Sequence, residues 1–340
     1  MPNSFNPYEN EHVNASGPGD SRPTAYQIIK DEDVVGKLSD KVILITGASS
    51  GIGIETARAL HETGAKLFLG VRNLGKGRNI VDQILGKSSG VGDIELLQME
   101  LSSTDSVRQA ADEFRRRSNK LNIMVNNAGI TGPDIRAVTK DGFEAVFATN
   151  YLGHFLLFQL LKPMLLSSAS PNFCSRVVTL SSLRHRVGKV NFDDLNSVNY
   201  DRATAYSQSK LANIWMANHI TRLYASQSLF STSVHPGLIF TPAARAMPSG
   251  YWNALLADEN QARYIKNEEQ GAATTVWAAV GRVWEGKGGK YLEDVSVRDF
   301  APNVPDISVA GPSKLAYNPE GEERLWEVSH NLLGSQSDGR

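Results

Sequence analysis

The chain has 340 residues, 41% of them hydrophobic, enough for one large domain or two smaller ones. Its 35 basic and 36 acidic residues leave a net charge of −1, so nothing in the charge argues for a nucleic acid or an anionic membrane as partner. A small molecule is the expected partner, and a single cysteine, Cys174, excludes an internal disulfide and fits a reducing compartment.

Residues 1–37 are rich in Asn, Ser, Pro, Gly and charge and hold no apolar run resembling a signal peptide or a membrane span. They read as a polar tail draped over the rest of a cytoplasmic protein, and residues 335–340 read as a second tail. From Lys41 the pattern changes. The run Val42-Ile43-Leu44-Ile45 predicts a strand buried on both faces. Further strand-like runs start at Lys66, Ile94, Asn122, Arg176, Ser231 and Lys290. Between them, helical patterns cover 54–62, 106–117, 143–166, 205–225 and 269–280. Strands alternating with helices predict an α/β fold, a doubly wound parallel sheet with helices on both faces.

The first strand runs into Gly47-x-x-x-Gly51-x-Gly53, and a helix opens at Ile54 and stops near Gly64. This strand–turn–helix context is the one a dinucleotide fingerprint requires. Gly47 allows the tight turn, Gly51 lets backbone approach a pyrophosphate, and Gly53 permits close packing of helix on strand. Ile52 lies between the last two glycines, and Ser49 and Ser50 add hydroxyl donors beside the free N–H groups of the helix start. Folds that prefer NAD carry an Asp or Glu after the second strand to bond a ribose hydroxyl. Here that place holds Arg72, suited to the 2′-phosphate of NADP, with Lys76 one turn on. The expected cofactor is therefore NADP(H) rather than NAD(H).

Tyr206 and Lys210 are four residues apart in a helical pattern and so share one face. A cation about 4 Å from a phenol, at an effective dielectric of about 20, contributes roughly 4 kcal/mol, or about three pKa units. Burial of the phenolate opposes that shift, so three units is an upper bound on how far Lys210 lowers Tyr206. Even a partial shift would suit the tyrosine to general acid–base work.

The glycine turn, Asn126-Asn127-Ala128-Gly129 and Tyr206-x-x-x-Lys210, in this order and approximate spacing, resemble the motifs of the short-chain dehydrogenase/reductase family. The resemblance runs over residues 38–334. More narrowly, Asn150-Tyr151-Leu152-Gly153-His154-Phe155, the 176–182 run and Arg324-Leu325-Trp326-Glu327 resemble retinol-dehydrogenase-like and WW-domain-oxidoreductase-like members. The resemblance implies a single Rossmann-fold domain with a small helical substrate lid over 242–268. It implies a hydride transfer between nicotinamide and a carbonyl or a primary or secondary alcohol.

By the same resemblance, Tyr206 is the proton donor and Ser182 bonds the substrate oxygen. Ser181 is expected on the opposite face of the strand. Asn150 is expected to hold a water of the proton relay, and Lys210 the nicotinamide ribose. Asn127, Ala128 and Gly129 would line the adenosine side, and Pro236, Gly237, Ile239 and Thr241 the nicotinamide. Glu100 stands where an Asp often sits beside the adenine. Tyr251, Trp252, Leu255 and Leu256 fall in the lid and hint at a lipophilic substrate, while the helices starting at Phe143 and Ala205 resemble those that pair subunits into a homodimer. The alternatives are a catalytically silent cofactor-binding protein of the same fold or an epimerase or dehydratase. No metal is expected: Asp193-Asp194 reads as a solvated loop, and His154 and His235 as packing residues.

Overall fold

Val42–Thr46 (β1) is buried along its whole length because its side chains serve two cores in turn: Val42 and Leu44 on one face, Ile43 and Ile45 on the other. A computed structural model describes this arrangement over residues 5–241 and 249–334. The same alternation recurs in β2 (Lys66–Val71), where Phe68 joins the first core and Leu67 and Leu69 the second. The other strands of the sheet are β3 (Ile94–Gln98), β4 (Ile123–Asn126), β5 (Ser175–Leu180), β6 (Leu229–His235) and β9 (Lys290–Glu293). They lie in the order β3-β2-β1-β4-β5-β6-β9, every pair parallel. Two short strands, β7 (Leu238–Ile239) and β8 (Ile265–Lys266), pair separately.

One face of the sheet is covered by α5 (Thr104–Arg117), α7 (Gly153–Ser168), α8 (Arg202–Tyr224) and α12 (Pro319–Leu332). The other is covered by α2 (Ala25–Asp31), which follows the short α1 (Glu9–Val13), and by α3 (Ile52–His61), α4 (Leu74–Leu85) and α11 (Glu268–Val280). This is the doubly wound fold that the alternating pattern predicts. The strand order reverses between β1 and β4, which opens a crevice at their C-terminal ends. No described helix is long and apolar enough to cross a membrane.

Three elements depart from the sequence reading. The N-terminal segment is not a polar tail in its described part: α2 buries Ala25, Ile28 and Ile29 in the second core. Arg22, 3% exposed, donates to the carbonyls of Gly17 and Tyr264 at 3.0 Å and of Ile265 at 2.7 Å. A seven-residue helix is too short to display a period, and the guanidinium that fastens it is indistinguishable in sequence from a solvated one. Second, the helix expected over 143–166 is interrupted. After α6 (Ala145–Phe147), residues Ala148–Leu152 form a π-helical turn in which the Gly153 N–H reaches the Ala148 carbonyl. Gly153 is needed there because a Cβ would collide with the Leu101 carbonyl. Third, α12 was not anticipated. Asn318 caps it and Pro319 opens it, while Trp326 packs edge-on to Phe155 at 4.9 Å.

The residues expected to form a lid fall on α9 (Ser249–Ala257), α10 (Glu259–Ala262) and β8. Trp252, Leu255 and Ile265 form a small apolar cluster with Leu238 and Ile307, whereas Leu256 is exposed. Residues 242–248, the side chain of Tyr251 and the tail at 335–340 lie outside the described residues.

Candidate active site

The crevice is a cleft of about 1070 Å³. Its lining draws on the C-terminal ends of β1, β2, β4, β5 and β6 and on one face of α8. At one end lies the glycine turn. Gly47 and Gly51 have φ of +67° and +57°, left-handed values that strain any other residue. A Cβ on Gly53 would meet the Gly47 carbonyl and stand 2.6 Å from Asn127 Nδ2, so this glycine lets α3 approach both the turn and the end of β4. Gly51 caps α3 without a side-chain bond, which leaves the helix's first N–H groups for an anion. The residues present therefore fit a dinucleotide's pyrophosphate.

Asn127 locks the turn from the other side. Its Nδ2 donates to the Thr46 carbonyl at 2.9 Å and the Gly47 carbonyl at 3.2 Å. The backbone N–H groups of Asn127 and Ala128 converge on Thr46 Oγ1 at 3.0 and 3.1 Å. Thr46 Oγ1 also meets His154 Nε2 at 2.8 Å, and His154 Nδ1 donates to the Asn150 carbonyl at 3.0 Å. A carbonyl can only accept, so the proton sits on Nδ1 and Nε2 accepts from the threonine hydroxyl. Burial holds His154 in this neutral form by pushing its pKa down to about 4.

Arg72 follows β2 and is exposed, with its guanidinium 3.8 Å from the Glu100 carboxylate. Glu100 also accepts from the Ser102 hydroxyl at 2.9 Å. Lys76 is exposed on the first turn of α4 and does not line the cleft; its backbone N–H is taken by the cap Asn73 at 2.9 Å.

At the centre, Ser182, Tyr206 and Lys210 line the same wall of the cleft. Ser181 also lines the cleft, and its hydroxyl is taken up by the Lys210 carbonyl at 2.8 Å. Lys210 Nζ donates to the Leu180 carbonyl at 3.0 Å and stands 5.6 Å from the centre of the Tyr206 ring. Burial lowers its pKa to about 8. Against the expectation that Lys210 draws the tyrosine's pKa down, burial raises the phenol above its ordinary value. Hydrogen bonding from Ser182 and the charge of Arg184 oppose that rise and are smaller. The lysine is itself desolvated and turned toward a backbone carbonyl.

Asn150 sits in the π-helical turn behind the cleft wall. Its Oδ1 accepts from the Ile130 N–H at 2.8 Å, and its Nδ2 donates to the Ile130 carbonyl at 2.9 Å and Ser209 Oγ at 3.0 Å. The side chain is thus a bracket between the segment that follows β4 and α8. Pro236, Gly237, Ile239 and Thr241 line the cleft beside β6, and Trp252, Leu255 and Ile307 supply an apolar wall.

The cleft thus gathers Gly47, Ser49, Ser50, Gly51, Ile52, Arg72, Glu100, Asn127, Ala128 and Gly129 with the central wall; Gly53 and Asn150 support it from behind. Sequence reasoning missed Thr46 and Arg184 and gave His154 only a packing role. The four-residue step from Asn150 to His154 carried the missing signal, since it places the imidazole over the asparagine carbonyl.

The family model for short chain dehydrogenase matches residues 41–252. The short-chain dehydrogenase/reductase prx1 of Penicillium rubens is 45% identical over 96% of this chain and 94% of its own length. Mouse retinol dehydrogenase 12 is 35% identical over 88% of each chain. Among solved structures, the RhlG/NADP active-site complex of Pseudomonas aeruginosa aligns with a TM-score of 0.62 and 25% identity, covering 76% of this chain and 96% of that one. A sheet wound about a glycine turn, a tyrosine and lysine on one wall, and a family match over more than half the chain converge on one conclusion: the protein belongs to the short-chain dehydrogenase/reductase family of NAD(P)-dependent oxidoreductases.

Proposed function

We propose that the protein is an NADP(H)-dependent oxidoreductase that interconverts a carbonyl and an alcohol on a small lipophilic molecule. The observation that carries this reading is the convergence of Ser182, Tyr206 and Lys210 on one wall, between a glycine-lined end and an apolar end of the same cleft. The nicotinamide, when bound, supplies or accepts the hydride. The glycine turn and the start of α3 hold the pyrophosphate, and Lys210 and Asn127–Gly129 the ribose and adenosine sides.

The phenol's raised pKa keeps Tyr206 protonated at neutral pH, ready to donate as a carbonyl is reduced. Ser182 holds the substrate oxygen within reach of that proton and steadies the charge developing on it. Lys210 is cationic below about pH 8 and stabilises the phenolate left after transfer. Asn150 keeps Ile130 fixed against α8, and with it the wall that carries the tyrosine. Alcohol oxidation uses the same groups with the proton moving to Tyr206.

Arg72 supports the choice of NADP(H), because it stands where an acid would repel a 2′-phosphate and its guanidinium is exposed to receive one. The apolar wall of Trp252, Leu255 and Ile307 supports a lipophilic substrate. The test is a fluorescence titration with NADPH and NADH, followed by absorbance of the reduced cofactor across a panel of lipophilic ketones and aldehydes. Tighter NADPH binding with turnover of apolar carbonyls supports the reading; absence of binding by either cofactor contradicts it.

A further inference from the structure

Ser182 caps a short 3₁₀ turn, Leu183–Val187, and its hydroxyl accepts from the Arg184 backbone N–H at 3.3 Å. That bond places Arg184 beside the reacting wall. Its side chain is half-buried, lines the cleft, and carries a charge felt by the Tyr206 phenol. Among the described residues, its guanidinium makes no hydrogen bond and no ion pair.

Other cations around the cleft are engaged. Arg72 faces Glu100 at 3.8 Å, Lys210 serves the Leu180 carbonyl at 3.0 Å, and Arg202 is paired with Asp134 at 2.7 Å. Arg186, two residues on, is fully buried and bonded to the carbonyls of Gly311 and Asp306 and to Glu293. The neighbouring acids are engaged as well. Asp201 caps α8 through Thr204, bonds that outweigh the Arg184 charge it also feels, and Asp306 accepts from the Ser308 N–H and hydroxyl. Arg184 is therefore a cation with no hydrogen bond or ion pair among the described residues, and it lines the same cleft as Ser182, Tyr206, Leu183, Trp252 and Ile307.

We propose that Arg184 is a specificity-determining residue that binds a carboxylate of the substrate, so that the preferred substrates are oxo acids, or the matching hydroxy acids, with an apolar body. A planar guanidinium offers two parallel N–H donors to a carboxylate, and the half-buried setting makes that pairing stronger than it is in water. One guanidinium free of hydrogen bonds and ion pairs among the described residues matches a monoanion better than a dianionic phosphate. The carboxylate lies on the Arg184 side of the reacting oxygen, and the hydrocarbon body lies along Trp252. This rests on the reading of Ser182 and Tyr206 as the reacting centre.

The experiment compares binding of octanoate and octanamide at neutral pH by isothermal calorimetry on the full chain, in the parent protein, Arg184→Gln and Arg184→Lys. Thermal unfolding confirms that the variants are folded. The parent protein binds octanoate at least about tenfold more tightly than octanamide, a charge-assisted hydrogen bond being worth about that much. Arg184→Gln removes the difference and Arg184→Lys keeps part of it. Equal affinities in the parent protein, or a preference for octanoate that survives Arg184→Gln, overturn the proposal. Carbonyl reduction that persists in Tyr206→Phe while the octanoate preference holds would defeat the proposed chemistry and leave the anion site standing.

Discussion

His154 and Thr46 are joined side chain to side chain at 2.8 Å across the inside of the fold, tying α7 to the end of β1. One threonine oxygen thereby serves His154 and the backbone N–H groups of Asn127 and Ala128. Thr46→Val keeps the shape and strands these buried partners, at a cost of about 3 kcal/mol. The double variant Thr46→Val/His154→Leu should lose clearly less than the sum of the single losses, because each removes the same bond. Urea denaturation of the four proteins measures this; strict additivity would show that the two residues act independently.

Acid should unfold the protein steeply. Burial lowers the pKa of His12, His154 and His185 to about 4 and of His235 to about 3, against about 6.5 in an unfolded chain. Lowered folded values mean that the unfolded state binds more protons, so the stability is full above about pH 6.5 and falls as pH drops toward 4. Glu293 works in the opposite sense for one proton, since burial raises it to about 7. Three net protons give a slope of up to about 4 kcal/mol per pH unit near pH 5.5. Denaturation midpoints measured from pH 7.5 to 5 check this; a flat profile contradicts it.

The glycine turn tolerates no side chain at its third glycine. A Cβ at Gly53 has Asn127 Nδ2 at 2.6 Å and the Gly47 carbonyl even nearer, and neither can move without opening the turn. Gly53→Ala should weaken NADPH by at least about tenfold and lower stability by about 1–3 kcal/mol, the usual cost of overpacking. Cofactor titration beside thermal unfolding tests both effects.

Cofactor choice should respond to Arg72 and Glu100 in opposite directions. Arg72→Ser should weaken NADPH about tenfold or more and leave NADH nearly unchanged, because a charge-assisted bond to a phosphate is lost. Glu100→Gln should tighten NADPH, since it frees the guanidinium 3.8 Å away and removes a negative charge. The exposed pair is worth under about 1 kcal/mol, so the gain is limited to about fivefold. Paired titrations with both cofactors separate the two effects.

The strands and the glycine turn were legible because each is written locally. A continuous β-branched run such as 42–45 has one good home, a strand buried on both faces, and the three glycines and the Tyr206–Lys210 step are short-range geometry. The rest depends on partners distant in sequence. Ile28 and Ile29 make a core face only because α11 meets them, and Arg22 is a fastener only because the carbonyls of Tyr264 and Ile265 come to it. The π-helical turn at Asn150 follows from a bracket to Ile130 and the Gly153 approach to Leu101. The net pKa shift of Tyr206 could not be signed from spacing, because burial outweighs the charges around it.

The central claim is that Tyr206 moves the proton while the cofactor end of the cleft works without it. The most direct measurement is the single-turnover rate of carbonyl reduction by Tyr206→Phe with the best carbonyl of the panel, alongside its NADPH affinity. The account predicts a rate lowered by about 10²–10⁴-fold, the usual worth of a positioned acid, with NADPH binding changed by no more than about threefold. A rate within about tenfold of the parent protein would contradict it.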